Sequence, residues 1–126
     1  MGDLTKDFSR HEFACKCGCG YDRIDLRVVD MCQVIRDKLG MPVRINSACR
    51  CAKHNAQVGG VKGSYHTKGL AADLSCEAGS QRLQSVAKAL FEAGKLPHLA
   101  YCKCYIAKNF VHIDCGHTRR NRFAKE

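Results

Sequence analysis

Two histidines and an aspartate stand at spacings that suit a metal site. His66 and Asp73 lie in residues 64–75, and His112 lies in residues 110–115. Two imidazoles and a carboxylate form a three-ligand set typical of catalytic zinc, which leaves a fourth position for water. These residues therefore predict one catalytic Zn²⁺ bound by His66, Asp73 and His112.

A zinc ion at this place would activate a water molecule and polarise a scissile carbonyl. A nearby carboxylate could take the proton from the water and pass it to the leaving amine. Asp114 is the candidate, because alternate residues of a strand share a face and Asp114 follows His112 by two. The same spacing also fits an ordinary buried histidine hydrogen-bonded to a carboxylate. The residues alone leave both interpretations open.

Three thiols at every second residue form a second candidate site. Cys15, Cys17 and Cys19 stand in a stretch with two glycines, and a Gly-rich turn would bring them to one point. They predict a second, structural metal site. The alternative is a tight turn with incidental thiols, since the two-residue gap usual in zinc knuckles is missing.

The other cysteines leave more choices. Cys102 and Cys104 are predicted to be buried free thiols on one strand. Pairing of these two with Cys49, Cys51 or Cys76, in a metal site or in disulfides, stays open.

Short helices and strands alternate along the chain and must position these groups. The pattern predicts helices over residues 26–39 (capped by Asp25, ended by Gly40) and 80–93 (capped by Ser80), and strands over residues 42–47, 71–76, 98–106 and 110–115. Such an order indicates an α+β fold with an antiparallel sheet flanked by helices. Residues 1–126 form one domain, in which the lead-in 1–10 and the basic tail 117–126 are predicted to be flexible. If the strands holding Asp73 and His112 are neighbours, these two side chains lie opposite each other.

The charge balance favours an anionic partner. Twenty-one Lys and Arg against twelve Asp and Glu give a net charge of +9, which suits nucleic acid, an anionic membrane surface or an acidic cell wall. The lack of Trp and of Cys-x2-Cys pairs argues against nucleic acid, and no apolar run reaches the roughly 18 residues of a membrane span. The first residues have no apolar core of the secretory type. We therefore expect synthesis in the cytoplasm, with any action on a cell wall following release or delivery.

The central stretch resembles a known signature. From Ser64 to Asp73 the sequence Ser-Tyr-His-Thr-Lys-Gly-Leu-Ala-Ala-Asp is similar to the Ser-x-His-x-x-Gly-x-Ala-x-Asp pattern of the M15 zinc peptidases. These are D-Ala-D-Ala carboxypeptidases and related peptidoglycan peptidases, whose fold is shared with the hedgehog signalling domain. The stretches that look like further parts of the family are residues 45–50, 53–60 and 110–114, with residues 13–20 similar to the opening of phage and prophage members.

The resemblance implies roles for individual residues. It implies His66, Asp73 and His112 as zinc ligands, and Arg50 as the group that binds a substrate carboxylate, which suits a guanidinium fork. Ser64 would either support the ligands or contact the substrate, and His54, in the loop that matches the family, would line the cleft and contact the substrate. The remaining histidines, His11, His98 and His117, are predicted to be surface or packing residues.

The resemblance also implies an activity: a zinc peptidase that hydrolyses peptidoglycan stem peptides as a D,D-carboxypeptidase or endopeptidase. Its setting would be phage lysis, a phage tail or wall maintenance, and we expect a monomer without nucleic-acid or membrane partners. One position departs from the family, because Asn109 stands where several branches have an acidic catalytic base three residues before the third ligand. A non-catalytic, zinc-containing wall-binding module on the same fold is therefore the alternative.

Overall fold

Helices and strands alternate along the chain in a computed structural model, which describes residues 2–117 and 121–126. The α-helices are α1 (Leu26–Leu39), α2 (Ala52–Gln57) and α3 (Ser80–Glu92), and short 3-10 helices span Arg10–Phe13 and Tyr65–Lys68. The strands are β1 (Arg44–Ser47), β2 (Ala71–Ser75), β3 (Tyr101–Tyr105), β4 (Phe110–Asp114) and β5 (Phe123–Lys125).

The five strands form one sheet in the order β1-β2-β4-β3-β5. β1 to β4 pair antiparallel with their neighbours, whereas β5 pairs parallel to β3. The prediction of a single small α+β domain is confirmed, with one refinement: the sheet is mixed rather than wholly antiparallel.

The parallel strand comes from the tail that was predicted to be flexible. Phe123–Lys125 of that tail pair with β3, and the flexibility of the tail stays a prediction. Residues 118–120 lie outside the described part of the chain. Backbone bonds at both ends hold the strand, since Cys102 N–H donates to the Arg122 carbonyl and Glu126 N–H to the Cys104 carbonyl, each at 2.8 Å. The pairing relies on the backbone, which explains why side-chain pattern did not predict it.

The lead-in also makes defined contacts. Phe8 is fully buried and its ring lies 5.9 Å from the ring of Phe13. Gln33 on α1 accepts hydrogen bonds from the Thr5 hydroxyl at 2.8 Å and the Asp7 N–H at 2.9 Å. One aromatic anchor and this amide therefore fix the lead-in against α1.

Strand alternation separates the apolar and the polar chemistry of the sheet. The side chains of one face join the core with α1 and α3; they include Ala72, Leu74, Cys102, Cys104, Val111 and Ile113. Cys102 and Cys104 are thus buried thiols, as predicted. The alternate residues of β2, β3 and β4 point to the opposite face, where Asp73 and His112 lie. None of the helices in residues 2–117 and 121–126 has the length and apolar character that crossing a bilayer requires.

α1 has the predicted bounds and caps, but α3 begins differently from the prediction. Asp25 accepts a hydrogen bond from Arg27 N–H at the start of α1, and Gly40 ends that helix. Ser80 is the first residue of α3 rather than its cap, and the preceding Gly79 has no side chain to offer. The cap comes instead from Asn109, whose Oδ1 accepts the Ser80 N–H at 2.9 Å.

Asn109 has two structural roles: it forms the β3–β4 turn and it caps α3. It ends the turn between β3 and β4 with a φ of 57°, in the left-handed region that Asn tolerates better than most residues. Its amide also occupies the start of α3. The residue that stands in the family's base position is therefore part of the framework.

We expect Asn109→Gly to lower the free energy of unfolding by about 1–2 kcal/mol, because glycine keeps the backbone conformation but loses the cap. Urea denaturation followed by circular dichroism measures the change. Asn109→Asp, which retains an acceptor oxygen, is the matched control and should stay close to the wild type. Equal stability of all three proteins would contradict a capping role.

Candidate metal centre and cleft

The three predicted ligands come together at the middle of the sheet. The antiparallel register of β2 and β4 sets Asp73 directly opposite His112, as expected for neighbouring strands. His66 arrives on the 3-10 helix Tyr65–Lys68, whose start is capped by Ser64 Oγ accepting the His66 N–H at 3.2 Å. Ser64 thus fixes the backbone of His66, one of the candidate metal ligands. Ser64 also borders the neighbouring cleft.

Both imidazoles point at one carboxylate oxygen. Nε2 of His66 lies 3.2 Å and Nδ1 of His112 lies 3.1 Å from Oδ1 of Asp73. His66 and Asp73 are almost completely buried, at 3% and 6% exposure. The structure therefore brings together the three ligand atoms that the sequence predicted.

In both His66 and His112, the ring nitrogen that faces away from Asp73 is already hydrogen-bonded. Nδ1 of His66 lies 2.7 Å from the Ala48 carbonyl, which can only accept, so this nitrogen carries a hydrogen. Nε2 of His112 lies 2.6 Å from Oδ2 of Asp114 and donates to it in the same way. In their neutral forms both rings therefore turn a lone pair toward an anionic oxygen, an arrangement that needs a cation between them. Two imidazole nitrogens and a carboxylate oxygen with supporting hydrogen bonds fit zinc.

Without a metal, protons take the place of that cation. Burial raises the pKa of Asp73, but hydrogen bonds from His112 and His66 outweigh it and hold the pKa well below its usual range. Burial lowers the pKa of His112, but hydrogen bonds to Asp114 and Asp73 outweigh it and raise the pKa to about 9. At neutral pH the metal-free protein therefore keeps a proton on both ring nitrogens of His112, which is then an imidazolium.

Arg50 orients Asp73 from the other side. Its Nη2 donates to Oδ2 of Asp73 at 3.3 Å, which leaves Oδ1 to the two histidines. Its Nη1 donates to Oδ1 of Asn55 at 3.1 Å and its Nε to Oγ of Ser47 at 3.0 Å. Gly60 packs so closely on Asn55 that a β-carbon there would clash with the amide oxygen. Arg50 is thus positioned by Ser47 at the end of β1 and by Asn55 on α2, and it holds Asp73 in turn, a role that the sequence did not suggest.

Asp114 lies behind His112, against the ring nitrogen opposite the Asp73 contact. Oδ1 accepts backbone N–H groups of Gly116 at 3.1 Å and His117 at 3.0 Å, and Oδ2 contacts the rings of both His112 and His117. The side chain is fully buried. Four hydrogen-bond donors stabilise the carboxylate, so that its pKa is lowered although burial alone would raise it. Its catalytic role stays a prediction, and its contacts are those of a group that orients the histidine rings.

A cleft of about 370 Å³ opens over this cluster. Its walls include Arg50, Ser64, Tyr65, Tyr101, Lys103, Tyr105, His112 and His117, with glycines of the 59–63 loop. His54 does not border the cleft; it lies on α2, where its N–H donates to Cys51 Sγ. A larger cavity of about 850 Å³ borders Asn109 and Glu77 but none of the three ligands. The smaller cleft is the functional candidate because His112, one of the three candidate ligands, and Arg50, which holds Asp73, both line it.

His117 is a functional candidate that the sequence reasoning assigned to surface or packing. Its ring lies 4.4 Å from that of Tyr65 and 4.7 Å from that of Tyr101, and its Nδ1 contacts Asp114. The only signal in the sequence was a histidine three residues after Asp114. The His112, Asp114 and His117 side chains are also close enough to hold an ion, but this group shares His112 with the first one.

The predicted thiol cluster is present and has one more member. Cys15, Cys17 and Cys19 are joined by Cys51, which follows Arg50 in the chain. All ten cysteines lie within the described residues and none is paired in a disulfide.

Because zinc must displace the proton of His112, its apparent affinity should rise with pH and level off above about pH 9. Calorimetric titration at several pH values, in buffers of different ionisation enthalpy, measures both the affinity and the released protons. Asp114→Asn removes the strongest partner that raises the pKa of His112, so its affinity should depend less on pH. An affinity that is constant from about pH 6 to 9 would contradict the assignment.

Comparison with known proteins places this site in a family. No curated protein matches the chain. A family model described as Peptidase M15 matches residues 6–114, which is more than half of the sequence and includes all three predicted ligands. The chain belongs to the peptidase M15 family, whose members are metal-dependent peptidases.

Proposed function

We propose that this protein is a zinc-dependent peptidase that hydrolyses peptidoglycan stem peptides, as a D,D-carboxypeptidase or an endopeptidase. The observation that carries the proposal is the convergence of two imidazole nitrogens on one oxygen of Asp73, beside an open cleft that His112 lines. Membership of the family supports the peptidase class, and the substrate is the finer part of the proposal.

The charges of the cleft support an anionic substrate. Arg50 and Lys103 border it, and no Asp or Glu is among its described lining residues, although the Lys103 ammonium is paired with Glu126. Three of the five N–H groups of Arg50 bind Ser47, Asn55 and Asp73, which leaves two for a ligand. A stem peptide ends in a carboxylate, and a guanidinium with two remaining donors suits such a group. The net charge of +9 would further favour an anionic cell wall.

Bound zinc would supply Lewis-acid chemistry, polarising the scissile carbonyl and acidifying a water molecule. The protein keeps the donor atoms in place before any metal arrives. Arg50 fixes the carboxylate of Asp73, Ala48 fixes the ring of His66, and Asp114 fixes the ring of His112. These contacts select the nitrogen that each histidine presents.

His117 is the group best placed to carry the proton. Asp114 accepts the hydrogen of His117 Nδ1, which leaves Nε2 without a hydrogen in the neutral ring and able to act as a base. A buried carboxylate that orients a histidine in this way recurs in other hydrolases. Asp114 itself is fully buried with four donors on its oxygens, and the Asn109 amide is bound to α3. We therefore assign proton acceptance to His117 and ring orientation to Asp114.

His66→Ala should lose bound zinc and with it the cleavage of purified muropeptides, because one of three protein ligands is gone. Elemental analysis and chromatography of the digests measure the two effects. His98→Ala removes an exposed histidine outside the cleft and should match the wild type in both measurements.

Two results would contradict the enzyme assignment. One is cleavage that persists in a metal-free, folded protein. The other is a zinc-loaded wild type that is retained on cell walls without cleaving them, which is the behaviour of the non-catalytic wall-binding alternative.

His117→Ala should lower kcat by about 100-fold or more while zinc content stays unchanged, as expected when a general base is removed from an intact metal site. His98→Ala again serves as the control. A kcat of His117→Ala within about twofold of the wild type, at equal zinc content, would remove His117 from the proton pathway.

A further inference from the structure

A second set of ligand atoms lies away from the cleft, where two distant parts of the chain meet. Cys15, Cys17 and Cys19 follow the first 3-10 helix, and Cys51 lies just before α2. Sγ of Cys17 is 3.4 Å from Sγ of Cys15 and 3.7 Å from Sγ of Cys51. All four sulfur atoms lie within 4.8 Å of one another.

These distances distinguish a shared cation from a disulfide. A disulfide requires two sulfur atoms about 2.05 Å apart. A tetrahedral zinc ion with Zn–S bonds of about 2.3 Å sets its four sulfur atoms about 3.8 Å apart. The observed separations of 3.4 and 3.7 Å match the edge of such a tetrahedron.

Backbone N–H groups point at these sulfur atoms as they do around metal-bound thiolates. The N–H of Cys51 donates to Sγ of Cys15, and the N–H of His54 donates to Sγ of Cys51, both at 3.4 Å. Gly18 and Gly20 have φ values of 83° and 91°, so the backbone turns sharply between Cys17 and Cys19 and again directly after Cys19. This turn is what allows thiols two residues apart to face one point.

The exposure of two of these cysteines also favours a metal site over simple core packing. Cys17 and Cys19 are exposed, whereas cysteines that serve as small apolar side chains are among the most buried residues of a protein. Core packing therefore does not account for them.

We propose that Cys15, Cys17, Cys19 and Cys51 form a tetrathiolate site for a structural Zn²⁺, distinct from the centre of His66, Asp73 and His112. A metal at this position would stabilise the fold by cross-linking two distant segments of the chain. Cys51 is the neighbour of Arg50 in sequence, so a metal on these thiols ties the opening segment of the chain to the loop that holds Asp73.

Cobalt substitution tests the assignment directly, because thiolate ligands give Co²⁺ an intense near-ultraviolet charge-transfer absorption that imidazole and carboxylate ligands lack. The wild type and His66→Ala should both show this band, and Cys51→Ser should lose most of it. Cys76→Ser removes a half-buried thiol outside the cluster and is the matched control. Elemental analysis should find two zinc ions in the wild type and one in each of the His66→Ala and Cys51→Ser proteins.

Cys19→Ser provides a second variant should Cys51→Ser fail to fold, because its side chain is exposed. It should show the same loss of the charge-transfer band. The proposal is overturned if the wild type has no such band, if both serine variants retain it fully, or if mass spectrometry without reductant finds Cys17 and Cys51 in a disulfide. Because the band survives in His66→Ala, the result does not depend on peptidase activity.

Discussion

The structure depends on one electrostatic arrangement: the Oδ1 atom of Asp73 faces two imidazole nitrogens whose partner nitrogens are already engaged. The Ala48 carbonyl fixes one ring and the Asp114 carboxylate fixes the other. Because neither ring can rotate without losing a buried hydrogen bond, the two nitrogens that face Asp73 stay aimed at the same point. The chain thus builds the coordination geometry from contacts that exist without the ion.

The sheet makes this arrangement possible because its two faces serve different purposes. Ala72 and Leu74 face the helices, while Asp73 between them faces the opposite side of the sheet, beside His112. A slip of one residue in the pairing of β2 with β4 would bury the charged groups and expose the apolar ones. The apolar core therefore enforces the register that sets Asp73 opposite His112.

Local pattern was sufficient to predict some features. The bounds of α1 follow from apolar periodicity and from the residues at its two ends, Asp25 and Gly40. Residue types at suitable spacing suggested the three candidate ligands, and the resemblance to the family signature favoured them over an ordinary buried His–Asp pair. The opposition of Asp73 and His112 followed from strand alternation.

Features that depend on contacts between distant parts of the chain could not be predicted from the sequence. β5 pairs through its backbone and has no distinguishing side-chain pattern. Cys51 lies 34 residues from Cys17 and has no motif of its own. The contacts of His117 with Tyr65 and Tyr101 likewise form only after β3 and the 3-10 helix before β2 have packed together. In each case the partner is supplied by the fold and not by neighbours in the chain.

The amide of Asn109 has a consequence for how the protein folds. The first N–H of α3 is satisfied by a residue 29 positions later, so the start of the helix lacks its partner until the β3–β4 hairpin has closed. Helix nucleation is costly on its own, and this cap links it to a contact formed by the sheet. The helix and the hairpin should therefore become protected from hydrogen exchange together, as one cooperative unit.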